Sequence, residues 1–250
     1  DCTGGTLTAA DGSGSVTYSG GTVATGASCT ISVDTTSSTV GSHVNTTGDL
    51  TSSSGNSGTA SDTLVVDPAP SFSKAFSPTA IAVDGVSTLT FTIDNTAATQ
   101  LAATSLAFTD TLPAGMLVAT PGNAVNNCSG GTLTATDGSG TIMYSGGTVA
   151  ATQACTITVD VTATSAGPFN NTSGDLTSSL GNSGPASAML TADAPPLFSK
   201  TFAPDAVAID AVSTLTFTID LSASLALDAS SLDFTDTLPG SVVVAATPNA

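Results

Sequence analysis

Hydrophobic and polar residues alternate along much of the chain with a period of two. The segment 86–94 reads VSTLTFTID, in which leucine, phenylalanine and isoleucine alternate with threonine. This alternation predicts a strand with one face in a core and the other in solvent. No segment has the three-to-four residue spacing of an amphipathic helix over a useful length. The pattern therefore predicts an all-β protein.

Turn-forming residues separate the predicted strands at short intervals. Three examples are PAG at 113–115, DGSG at 137–140 and SGG at 145–147. Short strands between turns at this spacing are typical of a two-sheet sandwich. We predict an immunoglobulin-like (Ig-like) β-sandwich in which all three segments form turns.

The chain matches itself without gaps at one offset. FSKAFSP from Phe72 recurs as FSKTFAP from Phe198, and CTGGTLTAADGSG from Cys2 recurs as CSGGTLTATDGSG from Cys128. The offset is 126 residues in each case. Such self-similarity predicts tandem Ig-like β-sandwich repeats of 126 residues.

Proline-rich junctions mark the predicted repeat boundaries. The sequences DPAP at 67–70 and DAPP at 193–196 indicate short extended linkers. Residues 1–70 are then the C-terminal part of one repeat, 71–196 a complete repeat, and 197–250 the N-terminal part of a third. We expect residues 197–250 to be completed by residues 1–70 of an adjacent copy, or of the same longer chain, end to end.

Charge narrows the range of partners. Of 250 residues only 8% are charged, and the net charge is -17 because nineteen aspartates face two lysines. Binding to phosphate backbones depends on Lys and Arg, so nucleic acid is excluded as a partner. No apolar run has transmembrane length, so we expect no direct membrane insertion by these residues. The expected partners are adjacent copies.

Each repeat carries a pair of cysteines at the same spacing. Cys2 pairs with Cys29 in this interpretation, and Cys128 with Cys155. An even number that recurs once per repeat predicts one disulfide per domain in an oxidising compartment. The alternative is buried free thiols, because Cys155 shares the parity of the apolar residues that follow it.

Three polar residues have the parity of the predicted core. Lys74 alternates with the phenylalanines on either side of it, and Asp110 and Asn171 each lie two residues after a phenylalanine. All three side chains are therefore aimed inward. Other asparagines, such as Asn95, do not keep this repeat position. The equivalent residues elsewhere in the chain are Lys200, Asp236 and Asn45.

Burial gives this trio a specific chemistry. Desolvation disfavours the charged forms of the amine and the carboxyl, so both groups can become neutral. A neutral amine is a nucleophile. We therefore expect Lys74 to attack the side-chain carbonyl of Asn171 and to form an isopeptide bond, with Asp110 as proton shuttle. The alternative is a buried Lys74–Asp110 ion pair with Asn171 as a hydrogen-bonding neighbour.

The order of these motifs carries a family resemblance. An early lysine, TFTID at 90–94, DTLP at 110–113 and a late NT at 171–172 resemble the repeat of large bacterial and archaeal surface proteins, a domain of unknown function. The order is also similar to that of pilin and adhesin domains with Lys-to-Asn bonds. The resemblance implies an Ig-like fold, an extracellular or cell-surface location, and roles in surface layers, stalks, fibres or adhesion.

Enzymatic chemistry has no support in the residues. Without Glu, Arg or Trp, and with His43 alone at a predicted core position, no triad or metal cluster can be assembled. We expect no enzyme activity and no cofactor. Weak calcium candidates, more typical of plain turn residues, are Asp11, Asp137, Asp49 and Asp175.

Two functions remain open. Near-identical repeats favour a structural component of an extracellular or cell-surface filament or stalk, stabilised by disulfide and isopeptide bonds. The alternative is the repeat region of an adhesin that presents or carries a ligand-binding module. An adhesin predicts loops that differ between copies, whereas the DGSG loops at 11–14 and 137–140 are identical.

Overall fold

The computed structural model describes residues 2–246. Positions 1 and 247–250, at the outer ends of the two predicted part-repeats, lie outside the described residues. The chain divides into two compact units, 1–66 and 67–250. Every regular element in the described residues is a strand, which confirms the all-β prediction. Accordingly, no helix within 2–246 is long and apolar enough to cross a membrane.

The strands follow the repeat boundaries. The first unit contains β1 (Thr3–Thr8), β2 (Thr17–Thr22), β3 (Gly41–Thr46), β4 (Thr51–Ser52), β5 (Gly55–Asn56) and β6 (Ser61–Val66). The complete repeat contains β7 (Ser71–Ser77), β8 (Ala80–Ala82), β9 (Val86–Asp94), β10 (Ala103–Thr111), β11 (Met116–Val118), β12 (Val125–Asn126), β13 (Ser129–Ala135), β14 (Thr141–Val149), β15 (Ala154–Ala163), β16 (Gly167–Thr172), β17 (Thr177–Ser178), β18 (Gly181–Asn182) and β19 (Ser187–Asp193). The last segment contains β20 (Leu197–Ala203) and β21 (Thr214–Asp220).

The first sheet of the complete repeat has the order β11–β15–β9–β7, with β12 also paired to β15. Its strands are antiparallel, and Ile157 of β15 lies opposite Phe91 of β9. Along β9 every second residue from Ser87 to Ile93 is buried, as the alternation indicates. The apolar parity of the sequence is thus the core face of this sheet.

Two further sheets complete the sandwich. The second has the order β13–β14–β10–β17–β18, and the third has the order β16–β19–β8. In the third sheet β19 runs parallel to β8, an arrangement that the sequence pattern does not show. Apolar residues from all three sheets form one continuous core, so the sheets face each other across it.

One predicted turn is wrong. Residues 145–147 lie inside β14, whereas the segments 113–115 and 137–140 do contain turns. Opposite β10 the pairing shifts by one residue at Gly146, whose φ is 80°. Glycine tolerates this left-handed backbone, so the SGG segment makes a β-bulge rather than ending the strand.

The end segments contain only part of this architecture. β20 pairs with β21 as β7 pairs with β9, and in the first unit β1 pairs with β2 and β3 with β6. Their apolar residues are more exposed than the equivalents in the complete repeat: Phe198 is 54% exposed and Phe234 48%, against 4% for Phe108.

Candidate functional site

Three sheets meet at one buried polar group in the complete repeat. Lys74 lies on β7 of the first sheet, Asp110 on β10 of the second, and Asn171 on β16 of the third. Asp110 and Asn171 are 0% exposed and Lys74 is 7% exposed. The structure therefore brings together, inside the core, the three residues that parity placed on inward faces.

One carboxyl group holds both of the other side chains. Lys74 Nζ donates to Asp110 Oδ1 at 3.0 Å, and Asn171 Nδ2 donates to Asp110 Oδ2 at 2.8 Å. Asn171 Oδ1 is buried and has no hydrogen-bond partner among the described residues. The lysine amine and the asparagine amide are thus held next to each other on the two oxygens of Asp110.

Aromatic rings surround the lysine amine. Lys74 Nζ lies 5.7 Å from the centroid of the Phe91 ring, which packs against Phe72 and Phe108. Burial among these groups lowers the pKa of Lys74, and the Asp110 carboxylate only partly offsets that effect. The surroundings therefore favour the neutral, nucleophilic amine more than water does. Sequence analysis did not assign Phe91 and Phe108 to the site, although they share its inward parity.

The arrangement can move protons as well as orient the reactants. If Asp110 is neutral, one of its oxygens can accept a proton from Nζ while the other gives a proton to Nδ2. Both distances are within hydrogen-bond range, which a general acid–base group requires. The trio has the donors and acceptors for amide transfer between two side chains, with ammonia as leaving group.

The last segment repeats part of this site. Lys200 Nζ lies 2.8 Å from Asp236 Oδ1, but the two side chains are 52% and 21% exposed. Asp236 Oδ2 is buried and has no hydrogen-bond partner among the described residues, whereas the equivalent oxygen of Asp110 binds Asn171. Asn45, the counterpart of Asn171, lies exposed on β3 of the first unit.

Both cysteine pairs form disulfides in the structure. Cys2 is joined to Cys29 and Cys128 to Cys155, with Cα–Cα distances of 4.9 Å in each pair. The described cysteines include no free thiol, so the alternative of buried thiols does not hold. Cys155 lies on β15 of the first sheet and Cys128 directly precedes β13 of the second sheet. The bond therefore joins two sheets.

The weak calcium candidates lie in loops. Asp137 Oδ1 accepts the backbone N–H of Gly122, while Asp49 and Asp175 accept hydrogen bonds from Asn56 and Asn182. Asp11 is exposed in its loop. Within residues 2–246 no three His, Cys, Asp or Glu side chains are grouped to hold a metal. Three of the four aspartates thus stabilise their own loops.

Two other polar residues lie apart from the trio. Asn95 is buried, and its Nδ2 donates to the carbonyls of Leu101 and Ala150, so it fixes the loop after β9. His43 is half-buried on β3, and its Nε2 lies 2.8 Å from the Thr39 carbonyl oxygen.

Comparison with known proteins gives a distant structural match and a family. The crystal structure of the collagen adhesin (CNA) from S. aureus aligns with a TM-score of 0.33 and 12% identity over 52% of this chain. The chain spans about half of that protein, 53% of its length. None of the curated proteins compared with the chain matches it significantly.

The model of one protein family matches nearly the whole chain. Its description is "Domain of unknown function (DUF7933)", and it matches residues 1–66, 70–192 and 196–250. The chain belongs to this DUF7933 family.

Proposed function

We propose that the chain is a structural part of an extracellular or cell-surface filament or stalk, built from tandem Ig-like repeats that are each locked by a disulfide and a Lys–Asn isopeptide bond. The observation that carries the proposal is the Lys74–Asp110–Asn171 trio. A buried ammonium and carboxylate cost several kcal/mol in desolvation, and paired apolar side chains often serve stability equally well. Chemistry, more than stability, accounts for the trio.

The proposed reaction balances without a cofactor. Neutral Lys74 attacks Cγ of Asn171, and the carbonyl becomes a tetrahedral oxyanion. Asp110 takes one proton from Nζ and gives one to Nδ2, after which the Cγ–Nδ2 bond breaks and ammonia leaves. The products are a secondary amide between Nζ and Cγ, free ammonia, and Asp110 in its starting state. The remaining N–H of the amide can still donate to Asp110.

The lysine content of the chain offers a direct test. Lys74 and Lys200 are its only trypsin sites, because the chain has two lysines and no arginine. Trypsin does not cleave after an acylated lysine. In the denatured and reduced monomer we expect cleavage after Lys200 but not after Lys74, and a mass lower by one ammonia. Lys200 serves as the cleavage control within the same molecule.

Variants separate the bond from the ion pair. Asp110→Asn and Asn171→Ala should restore cleavage after Lys74 and remove the loss of ammonia. Asn170→Ala, at an exposed position on the same strand, should leave both results unchanged. A wild-type chain that folds, keeps its full mass and is cut after Lys74 would contradict the covalent proposal and leave the ion pair.

The disulfides and the repeats support the proposed location and role. Structural disulfides persist in oxidising compartments outside the cytosol. Repeats of nearly the same sequence suit a role in which each domain bears the same load. Negative-stain microscopy of native material should show filaments with a regular axial repeat. Isolated monomers on the cell surface would favour the adhesin instead.

A further inference from the structure

The last residue of the complete repeat contacts the repeat that follows. Asp193 ends β19, and its backbone carbonyl accepts the N–H of Val83 at 2.9 Å within the complete repeat. Its side chain is directed the other way, toward the loop 221–228 that follows β21. Asp193 is 4% exposed, so this contact is buried. One residue is thus fixed by two repeats.

The loop offers three backbone donors to this carboxylate. Oδ1 accepts the N–H of Leu225 at 2.7 Å, and Oδ2 accepts those of Ala226 at 2.9 Å and Leu227 at 2.6 Å. Hydrogen bonds to an ionised acceptor are roughly twice as strong as neutral ones. The Leu225 N–H, with the other two, lowers the pKa of Asp193 and keeps the acceptor charged.

The same contact occurs one repeat earlier. Asp67 accepts the backbone N–H groups of Thr99 at 2.9 Å, Gln100 at 2.9 Å and Leu101 at 2.7 Å, and the Thr99 hydroxyl at 3.0 Å. These donors, with the Thr99 N–H first, lower the pKa of Asp67 to about 2. All four positions are the equivalents of those around Asp193, so the structure contains two examples of one joint.

Recognition through the backbone explains the sequences of the two loops. Residues 95–102 read NTAATQLA and residues 221–228 read LSASLALD, so few side chains are shared. The loop length and the aspartate before it are retained. Because the donors are main-chain groups, the joint depends on loop length and one carboxylate, and the loop side chains are free to differ.

The covalent connection next to the joint is short. Only Ala194, Pro195 and Pro196 separate β19 from β20. Proline fixes φ, so two of the three connecting residues have little torsional freedom. A single short connection can still act as a hinge. A second, non-covalent connection through Asp193 removes that freedom.

We infer that the aspartate that closes each repeat is a coupling residue, which binds the backbone of a loop in the next repeat and fixes the angle between the two domains. The partner of this surface is the following repeat of the same chain. The inference rests on the proposed role of the repeats as serial modules, but it does not require the isopeptide bond.

Residual dipolar couplings on the 250-residue chain test the inference. In the wild type, backbone N–H couplings from 71–192 and from 197–246 should fit one common alignment tensor. In Asp193→Asn and Asp193→Ala the two segments should need separate tensors. Amide exchange at Leu225, Ala226 and Leu227 should rise on the order of tenfold or more, because each amide loses a charged acceptor.

Two controls make the result decisive. Asp228→Asn makes the same charge change at an exposed position beside the loop, and it should leave the common tensor intact. The trypsin test at Lys74 should give the wild-type result in every Asp193 variant, so a failure of the isopeptide proposal can be told from a failure of this one. Separate tensors in the wild type, or one common tensor in both Asp193 variants, would overturn the inference.

Discussion

Tyr144 shows how one side chain specifies two glycines. Its ring is 1% exposed and lies over the backbone of Gly131 and Gly147, and its hydroxyl donates to the Gly130 carbonyl at 3.1 Å. A Cβ at Gly147 would overlap the Tyr144 hydroxyl. Tyr18 repeats the contact over Gly5 and Gly21 in the first unit. The recurring YSGG motif is therefore a packing unit of the sheet.

Gly147→Ala should destabilise the complete repeat by roughly 1–3 kcal/mol, because the added methyl group displaces a buried ring. Denaturant unfolding of the chain measures the change. Gly140→Ala is the matched control, since nothing lies within 4 Å of a Cβ at that position. Equal stability in the two variants would show that Tyr144 does not require a glycine at position 147.

Parity explains why the trio could be predicted and the joint could not. A strand exposes alternate residues to one face, so the phenylalanines near Lys74, Asp110 and Asn171 already indicate where these side chains point. Asp193 binds backbone N–H groups, which every residue has, and no side-chain pattern reports them. The one available signal was an aspartate before both proline-rich junctions, which we interpreted only as part of a linker.

At the scale of elements, the disulfide joins the two large sheets at a crossing point. β12 pairs with β15 in the first sheet, and Cys128 follows it where the chain passes into β13 of the second. Cys155 lies near the start of β15. Adjacent strands within each sheet are joined by hydrogen bonds, whereas contact between these sheets is mainly through the core. The disulfide adds a covalent bond between them.

Replacing Cys128 and Cys155 with serine should lower the free energy of unfolding by about 3–4 kcal/mol, the chain-entropy value for a loop of this length. The sequence separation is 27 residues. Denaturant unfolding with and without reductant measures it, and the reductant should affect the complete repeat of the wild type but not of the variant. A change well under 1 kcal/mol would contradict this account.

Elements differ in how far the sequence predicts them. β9 and β15 alternate without interruption, so their faces follow from the letters. The glycine-rich β14 contains a bulge at Gly146, and its sequence is that of a turn until Tyr144 is seen packed across it. The parallel pairing of β8 with β19 joins residues more than a hundred positions apart. Local patterns carry no information on such a pairing.

At the scale of the whole molecule, the last segment is an incomplete copy of the site. The rings of Phe198, Phe217 and Phe234 are arranged as in the complete repeat, with centroids 4.8–6.1 Å apart. Lys200 and Asp236 are already paired. The missing parts are the covering strands and an asparagine for Asp236 Oδ2, and the sequence of residues 1–70 contains the equivalents of both.

We therefore propose that residues 197–250 accept a segment with the sequence of residues 1–70, either further along a longer chain or from an adjacent copy. For the 250-residue chain alone, the second case predicts a bond between Lys200 of one copy and Asn45 of another. Concentrated protein, boiled in detergent with reductant, should give a ladder of covalent multimers.

Asn45→Ala tests the origin of any such ladder. This variant should remain monomeric in detergent, because no late asparagine reaches Asp236, while its Lys74–Asn171 bond still forms and trypsin still leaves Lys74 uncut. Asn56→Ala, another asparagine of the first unit, is the control and should keep the ladder. Concentrated wild-type chain that runs only as monomer, with Lys200 fully cleaved by trypsin, would show that separate copies do not complete the site. Completion would then require a continuous chain.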